Sequence, residues 1–203
     1  RMLKGKPFSY TSTADINPKL SKYDKPFITA PRPYLIDYIN DECNDKTIIK
    51  SRQSEFSENE INLNLALCLR RPYTHVKHIF PTLKMGELIG KEKIQKAIKT
   101  SPLIYEQVSN LDAITFTQFK NQSIYSISGS WDETGGRAGS VDKITFDEYE
   151  TQNPNVESVF EEMLSHSELQ KITRISTPRF PNGGIDAKFI KSFLETLVYL
   201  LSC

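Results

Sequence analysis

The sequence has few cysteines, almost no excess charge and no long apolar run, and each absence excludes a class of protein. Its 203 residues contain three cysteines and no Cys-x-x-Cys pair, so we expect neither a disulfide framework nor a zinc site. No stretch approaches the ~18 apolar residues of a membrane span, and we expect no signal peptide. Lys and Arg number 26 against 25 Asp and Glu, and this balance argues against a permanent nucleic-acid coat protein.

What the chain does contain is an alternation of strand and helix patterns. The polar, proline-containing start predicts an irregular N-terminal arm over residues 1–30. Residues 31–203 then read as one domain in which short strands alternate with helices. This alternation predicts an α/β domain with a largely parallel central sheet flanked by helices. In such sheets, ligands bind at the carboxyl ends of the strands.

The apolar spacing predicts individual elements. In chain order they are a helix over residues 34–39, a strand over 46–50, a helix over 61–69, a strand over 75–80, a helix over 85–98, a hairpin of strands over 113–119 and 123–127, a strand over 143–146, a helix over 156–164, a strand over 171–175 and a terminal helix over 187–201. The wide apolar face of the second helix, which includes Cys68, predicts burial. The lysines of the third helix predict either a solvated face or a DNA track; they are Lys91, Lys93, Lys96 and Lys99.

A polar loop follows the first strand and precedes a helix, which is where phosphate-binding loops lie. It reads Lys50-Ser51-Arg52-Gln53-Ser54-Glu55-Phe56-Ser57. A helix N-terminus offers free N–H groups to an anion, and Lys50 and Arg52 add positive charge. Against the pattern G-x-x-x-x-G-K-[ST], however, the loop has no glycine and matches only at Ser57. Two interpretations stay open: a phosphate site in which Ser57 touches Mg²⁺, or an ordinary helix start with Ser57 as its N-cap.

Two adjacent acids, Asp147 and Glu148, end the apolar strand over residues 143–146. Nucleotide hydrolases use this arrangement, because one carboxylate can hold Mg²⁺ and the next can polarise the attacking water. The alternative is a solvated loop. The order along the chain favours the first interpretation, since the acids lie downstream of the candidate phosphate loop.

Two further segments carry side chains suited to phosphate chemistry. Ser176 and Thr177 end the strand over residues 171–175, where hydroxyl groups can sense a phosphate or its water, although a turn before proline would look the same. Arg137 is flanked by glycines, on backbone with high conformational freedom. Arginine suits the charge of a phosphoryl-transfer transition state, and the alternative is a solvent-exposed loop arginine.

Taken together, these segments resemble the ATPase domain of the terminase large subunit, the DNA-packaging motor of tailed bacteriophages and related viruses. The resemblance covers about Pro31 to Asp186. It depends on the order and spacing of Lys50 to Glu58 (Walker A), His78 to Thr82, Gly129 to Glu148 (Walker B) and Ser176 to Asp186 (coupling motif). The resemblance implies a P-loop NTPase-like fold.

The resemblance also implies roles for individual residues. Lys50 would reach the β- and γ-phosphates and Arg52 would be a second phosphate contact. Ser57 and Asp147 would hold Mg²⁺, and Glu148 would activate water. Ser176 and Thr177 would couple hydrolysis to movement, and Arg137 would act as a finger on the adjacent subunit. The nucleotide-binding loop would comprise Lys50, Ser51, Arg52, Gln53, Ser54, Glu55, Phe56 and Ser57.

The function implied by the resemblance is translocation of double-stranded DNA into a procapsid, driven by hydrolysis of Mg–ATP. The implied partners are DNA, the portal protein, the small terminase subunit and further copies of the chain in a ring. The implied location is the cytoplasm of the host cell, with no membrane contact. The nuclease domain that follows in the family is absent from these residues.

The loop departs from the family pattern at one position. Glu55 stands where glycine is usual, so its side chain would block close backbone approach and its charge would repel phosphate. We therefore expect weak ATP binding or slow hydrolysis. Two alternatives remain: a helicase-like nucleic-acid translocase on the same core, or a degenerate, non-hydrolysing docking domain.

Overall fold

The computed structural model describes residues 33–111, 113–131 and 139–192. The arm predicted over residues 1–30 and the part of the predicted terminal helix beyond residue 192 lie outside the described residues. In chain order the elements are α1 (Tyr34–Asn40), β1 (Asp45–Ile49), α2 (Phe56–Arg70), β2 (His75–Phe80), α3 (Leu83–Ile89), a π-helical turn (Gly90–Ile94), α4 (Gln95–Thr100), α5 (Pro102–Tyr105), β3 (Val108–Asn110), β4 (Phe116–Phe119), β5 (Ile124–Gly129), β6 (Lys143–Asp147), a 3₁₀ turn (Tyr149–Thr151), α6 (Glu157–Glu162), β7 (Lys171–Ser176) and α7 (residues 184–192).

Within the described residues, seven strands form one sheet in the order β1-β7-β6-β2-β5-β4-β3. The first five strands in this order are parallel to their neighbours. β4 and β3 extend the sheet as an antiparallel edge. Parallel neighbours require crossover connections, and helical segments supply them. The predicted α/β fold with a largely parallel sheet flanked by helices is therefore confirmed.

Helices cover both faces of the sheet. On one face, α2 and the run from α3 to α4 bury Ile61, Leu65 and Phe80 against β2 and β5. On the other face, α6 packs on β6, and the rings of Phe146 and Phe160 meet edge to face with centroids 6.2 Å apart. Burying each such side chain contributes roughly 1.5–3 kcal/mol. The central strands β2 and β6 lie between the two layers of helices, which explains why nearly all of their residues are buried.

The predicted elements agree with the structure where the sequence signal is long. The strands predicted over residues 75–80, 143–146 and 171–175 match β2, β6 and β7 to within one residue. The hairpin is confirmed, although β4 begins at Phe116. The sequence does not predict α5 and β3, because elements of four and three residues show no periodicity. Throughout the described ranges, no helix has the length and apolar character that crossing a membrane requires.

Candidate active site

Three neighbouring strands bring the predicted segments to one edge of the sheet. β1, β7 and β6 are adjacent and parallel, so their carboxyl ends lie together. The loop that begins at Lys50 follows β1, Asp147 ends β6 and Ser176 ends β7. The backbone N–H of Lys50 donates to the carbonyl of Ser176 at 2.9 Å, which extends the pairing of the two strands into the loop. The loop at Lys50, Asp147 and Ser176 therefore meet at one edge of the sheet.

The loop between β1 and α2 is compact and contains two left-handed residues. The hydroxyl of Ser54 donates to the carbonyl of Ser51 at 2.8 Å and closes a tight turn. Gln53 and Glu55 have φ values of 59° and 61°, in the region that favours glycine. Glu55 therefore adopts the backbone conformation of the glycine that it replaces.

Ser57 lies inside α2 and is not its N-cap. The helix begins at Phe56, and the left-handed Glu55 precedes it as the cap residue. The hydroxyl of Ser57 donates to Oδ1 of Asp147 at 2.8 Å. The N-cap interpretation of Ser57 is therefore wrong, because its hydroxyl points across to β6 and not back along its own helix.

Lys50, Ser57, Asp147 and Glu148 form one cluster. Nζ of Lys50 lies 2.8 Å from Oε1 of Glu148, 3.0 Å from Oγ of Ser57 and 3.8 Å from Oδ1 of Asp147. Glu148 has a φ of 53°, and its N–H donates to Oδ1 of Asp147 at 3.0 Å. Four side chains predicted from separate parts of the sequence thus share one set of contacts.

The carboxylate of Asp147 is buried beside the positive charge of Lys50. Its residue is 4% exposed. Burial raises the pKa of the Asp147 carboxyl, and the charge of Lys50 and the hydrogen bonds from Ser57 and from the N–H of Glu148 act in the opposite direction. A carboxylate that has lost much of its hydration gains from a nearby positive charge, and Lys50 supplies it here.

His78 lies behind Asp147 in the protein interior. Its Nδ1 is 2.6 Å from the hydroxyl of Tyr125, and its Nε2 is 3.9 Å from Oδ2 of Asp147. Nε2 finds no hydrogen-bond partner among the described residues. Burial lowers the pKa of His78 to about 3. The imidazole is therefore neutral at neutral pH, and its contact with Asp147 is between a dipole and a charge, not an ion pair.

The cluster borders an open cavity of about 210 Å³. Ligand pockets typically measure roughly 300–1,000 Å³, so this cavity is large enough for only part of a nucleotide-sized ligand. The side chains that line it come from the loop, α2, the end of β2, the helical run α3–α4 and the end of β6; they are Lys50, Gln53, Ser54, Glu55, Phe56, Ser57, Glu58, Ile61, Phe80, Met85, Ile89, Lys93, Asp147 and Glu148.

The remaining predicted residues are distributed unevenly around this cavity. Gln53, Ser54, Glu55 and Phe56 line it. Ser51 and Arg52 are exposed and, within the described part of the chain, do not belong to the lining. Arg137 lies outside the described residues. Lys93, one of the lysines for which the sequence predicts a solvated face or a DNA track, has a side chain that is 37% exposed and also borders the cavity.

Ser176 connects the loop to the segment after β6. Its carbonyl accepts the N–H of Lys50, and its buried hydroxyl accepts the N–H of Glu150 at 3.1 Å. The carboxylate of Glu150 in turn accepts the N–H of Ile185 at 2.9 Å, at the start of α7. Thr177 is half-buried beside Ser176. These bonds link Ser176 to the loop at Lys50 and to the 3₁₀ turn that follows Asp147 and Glu148.

A second polar cluster, formed by side chains of α1, α2 and β6, is buried next to the site. Nζ of Lys143 lies 2.6 Å from Oε1 of Glu60, and Thr145 donates to the same carboxylate at 3.1 Å. The hydroxyl of Tyr38 donates to its other oxygen. Burial acts to raise the pKa of Glu60, but the charge and hydrogen bond of Lys143 outweigh it and the pKa is lowered. Glu60 is therefore ionised in the interior, in a position that the sequence does not predict.

The cluster of Lys50, Ser57, Asp147 and Glu148 fits a magnesium ion that takes its remaining ligands from water and substrate phosphates. Among the described residues, no group of three or more His, Cys, Asp and Glu side chains could hold a metal ion. Mg²⁺ commonly uses one or two protein carboxylates and takes its other ligands from water and substrate phosphates. The Nζ of Lys50 already brings a positive charge beside the oxygens of Ser57, Asp147 and Glu148. Because these oxygens already surround one positive charge, Ser57 and Asp147 are suitable donors for Mg²⁺.

Comparison with solved structures identifies the fold. No protein-family model and no curated protein matches the chain by sequence. The large terminase ATPase domain of Thermus phage P74-26 is similar over 70% of this chain and 63% of its own, with a TM-score of 0.60 and 18% identity. The large terminase of bacteriophage HK97 is similar over 87% of this chain and 39% of its own, with a TM-score of 0.74 and 12% identity.

A third structure has a nucleotide analogue. The large terminase of a thermophilic bacteriophage, in complex with ATP-γ-S, is similar over 74% of this chain and 36% of its own, with a TM-score of 0.51 and 12% identity. The chain thus spans less than two thirds of the length of each of these three proteins. The predicted resemblance is confirmed at the level of the fold, which is that of large terminase ATPase domains.

Proposed function

We propose that this domain binds Mg–ATP and hydrolyses it as the ATPase domain of a DNA-packaging motor. The observation that supports this most strongly is the convergence of Lys50, Ser57, Asp147 and Glu148 on one cavity. The cavity lies at the carboxyl edge of a parallel sheet and at the start of α2, where orphan N–H groups favour phosphate. The fold shared with large terminases, one of them in complex with ATP-γ-S, points to the same activity.

Each residue of the cluster has a role in this proposal. Lys50 exchanges its carboxylate partners for the phosphates of the nucleotide. Ser57 and Asp147 hold Mg²⁺, which would supply charge neutralisation to the phosphates when bound. Glu148, whose side chain is 35% exposed beside the cavity, orients a water molecule and accepts its proton.

The proposal extends to the work that hydrolysis performs. Ser176 and Thr177 pass a change at the phosphates to the rest of the domain, and Arg137 acts on the nucleotide of a neighbouring subunit. The chain works as a homo-oligomeric ring on the portal protein of a procapsid, with the small terminase subunit, in the host cytoplasm. Its substrate is double-stranded DNA. Support for this part comes from the fold shared with large terminases.

A second candidate function is a docking domain that does not hydrolyse ATP. Glu55 supports it, because its carboxylate lines the cavity at the position where phosphate loops carry glycine. Phe56 supports it as well, since it replaces the usual lysine before Ser57. A helicase-like translocase would share the ATP site, and unwinding of a duplex without packaging would identify it.

Calorimetric titration with Mg²⁺ and a non-hydrolysable ATP analogue tests the proposal directly. We expect saturable binding to the wild-type chain and phosphate release when ATP replaces the analogue. No binding at millimolar analogue would overturn the ATPase proposal and leave the docking domain. Binding without hydrolysis by the wild-type chain, with or without duplex DNA, would also favour the docking domain.

A further inference from the structure

The helical run that faces the phosphate loop contains a π-helical turn. Residues 83–100 continue from α3 through the turn at Gly90–Ile94 into α4. Such turns are rare in proteins and frequently occur at functional sites. This turn is firmly packed: Ile94 is 1% exposed, and a Cβ on Gly90 would lie 2.9 Å from Cδ1 of Ile127. The backbone that carries Lys93 therefore has a defined position against β5.

Within this turn, Lys93 differs from its neighbours. Lys91 and Glu92 are exposed, whereas Lys93 is 37% exposed and borders the cavity with Lys50 and Asp147. Nζ of Lys93 lies 3.9 Å from Oε2 of Glu58, in the first turn of α2. The π-helical turn thus directs one lysine of a solvated series toward the site.

The contact between Lys93 and Glu58 is a weak one. Its length is near the limit for an ion pair, and the side chain of Glu58 is 50% exposed. Exposed pairs of this kind contribute little to stability, because water and salt screen them. Lys93 can therefore exchange Glu58 for a stronger anionic partner at small cost.

The balance of charges in the cavity makes this exchange important for binding a polyphosphate. Four carboxylates line the cavity, and they are Glu55, Glu58, Asp147 and Glu148. Against them stand only two lysines in the described lining, Lys50 and Lys93. A polyphosphate entering this cavity meets an excess of negative charge, so each lysine carries a large share of the attraction.

We propose that Lys93 is a second lysine ligand for phosphate in this site, beside Lys50, where the loop has Phe56 at the usual lysine position. Its contact in the structure is with Glu58, and a nucleoside triphosphate with Mg²⁺ draws it onto the phosphate oxygens. The inference rests on the proposed function, because it assigns a further ligand to the same cavity. It also explains how a loop with a carboxylate at position 55 retains a triphosphate.

Titrations of the full chain with Mg²⁺ and a non-hydrolysable ATP analogue test this inference. We expect Lys93→Met to weaken binding roughly tenfold to a hundredfold, the range for losing a hydrogen bond between charged groups. Lys93→Arg should keep most of the affinity. Lys91→Met is the matched control, since it removes the same charge from an exposed position of the same turn, and we expect less than a twofold change. Thermal melts of the three variants report whether the fold is intact.

A double-mutant cycle with Glu58→Gln tests the exchange of partners. In the wild-type background, Glu58→Gln should tighten binding, because it frees Lys93 and removes a negative charge. In the Lys93→Met background the gain should be smaller, since only the charge effect remains. Equal gains in both backgrounds, or equal affinities of Lys93→Met and Lys91→Met, would overturn the inference while leaving the proposed function intact. Absence of binding to the wild-type chain would overturn both.

Discussion

Nζ of Lys50 lies 2.8 Å from Oε1 of Glu148, which joins the start of the phosphate loop to a residue 98 positions further along the chain. In the proposed mechanism, this bond holds the phosphate ligand against the water-activating carboxylate. Phosphate entering the cavity would compete for Lys50 and release Glu148. Nucleotide binding and the availability of the Glu148 carboxylate would then be linked through one ion pair.

Replacing Glu148 should separate binding from turnover. We expect Glu148→Gln to lower the rate of phosphate release about 10²–10⁴-fold, the usual range for losing a general base, while the ATP analogue still binds. Glu162→Gln, at an exposed position of α6, is the control and should leave turnover unchanged. Normal turnover by Glu148→Gln would remove Glu148 from the mechanism.

Replacing Lys50 should weaken binding. Its side chain is 10% exposed and touches Ser57, Asp147 and Glu148. We expect Lys50→Ala to raise the Kd for the Mg²⁺-bound analogue roughly tenfold to a hundredfold in calorimetry. Lys99→Ala, on the exposed side of α4, should bind as the wild type does. If Lys50→Ala also binds like the wild type, the loop is not the phosphate site.

Replacing Glu55 with glycine should strengthen nucleotide binding without a large change in stability. Glu55 has a φ of 61° and lines the cavity. We expect Glu55→Gly to bind the analogue more tightly and to change the free energy of unfolding by no more than about 1 kcal/mol, since relief of the left-handed backbone offsets the entropy of glycine. Gln53→Gly, with a φ of 59° but no charge to remove, should leave affinity nearly unchanged. Equal affinities of Glu55→Gly and the wild type would show that this carboxylate does not oppose phosphate.

The effects of replacing Glu60 and Lys143 on the free energy of unfolding should not be additive, because the two charges form a buried pair. Glu60 is fully buried and Lys143 is 8% exposed, with 2.6 Å between Nζ and Oε1. We expect Lys143→Met to lower the free energy of unfolding by about 3–5 kcal/mol, because it leaves a buried carboxylate without its cation. Adding Glu60→Gln should recover a large part of this loss in urea titrations at neutral pH. A double variant whose loss equals the sum of the single losses would show that the two charges do not interact.

Stability should depend on pH through His78. Burial lowers the pKa of His78 to about 3, against roughly 6.5 in an unfolded chain. Between these values the unfolded chain binds a proton that the folded protein does not, so stability is full above pH ~6.5 and is lost as the pH falls. At pH 5 the loss is about 2 kcal/mol.

Urea titrations of nucleotide-free protein at pH 7.5 and pH 5 measure this effect. His78→Gln should reduce the difference between the two conditions by about the same amount. His166→Gln, at an exposed position, should leave the difference unchanged. An unaltered pH dependence in His78→Gln would show that His78 is not the group responsible.

The sheet and its active edge are predictable because local patterns determine them. Strands such as β2 and β6 are recognisable as short segments that contain β-branched and aromatic residues, and alternation with helices dictates that their carboxyl ends meet. From that rule alone, Asp147 and the loop at Lys50 are expected at one edge. The alternative for Ser57 could not be settled from the sequence, because it depends on whether α2 begins before or after this residue.

Other parts of the site depend on tertiary structure that has no local pattern. Lys93 belongs by periodicity to a solvated series, and its place at the cavity becomes visible only in the folded structure, where it lies in the π-helical turn. Glu60 and Lys143 are charged, which favours exposure, yet each is buried because the other lies opposite. Such pairs become visible only once two distant elements are packed together.

The strand that carries the phosphate loop has a mechanical consequence. In the described residues β1 pairs with β7 alone, over five matched positions from Asp45 to Ile49. A pull along the strand axis loads all of these bonds in shear, so they share the force, whereas a sideways pull would open them one at a time. A displacement of Lys50 along the axis of β1 therefore moves β7 together with β1. A displacement perpendicular to β1 is not transmitted in this way.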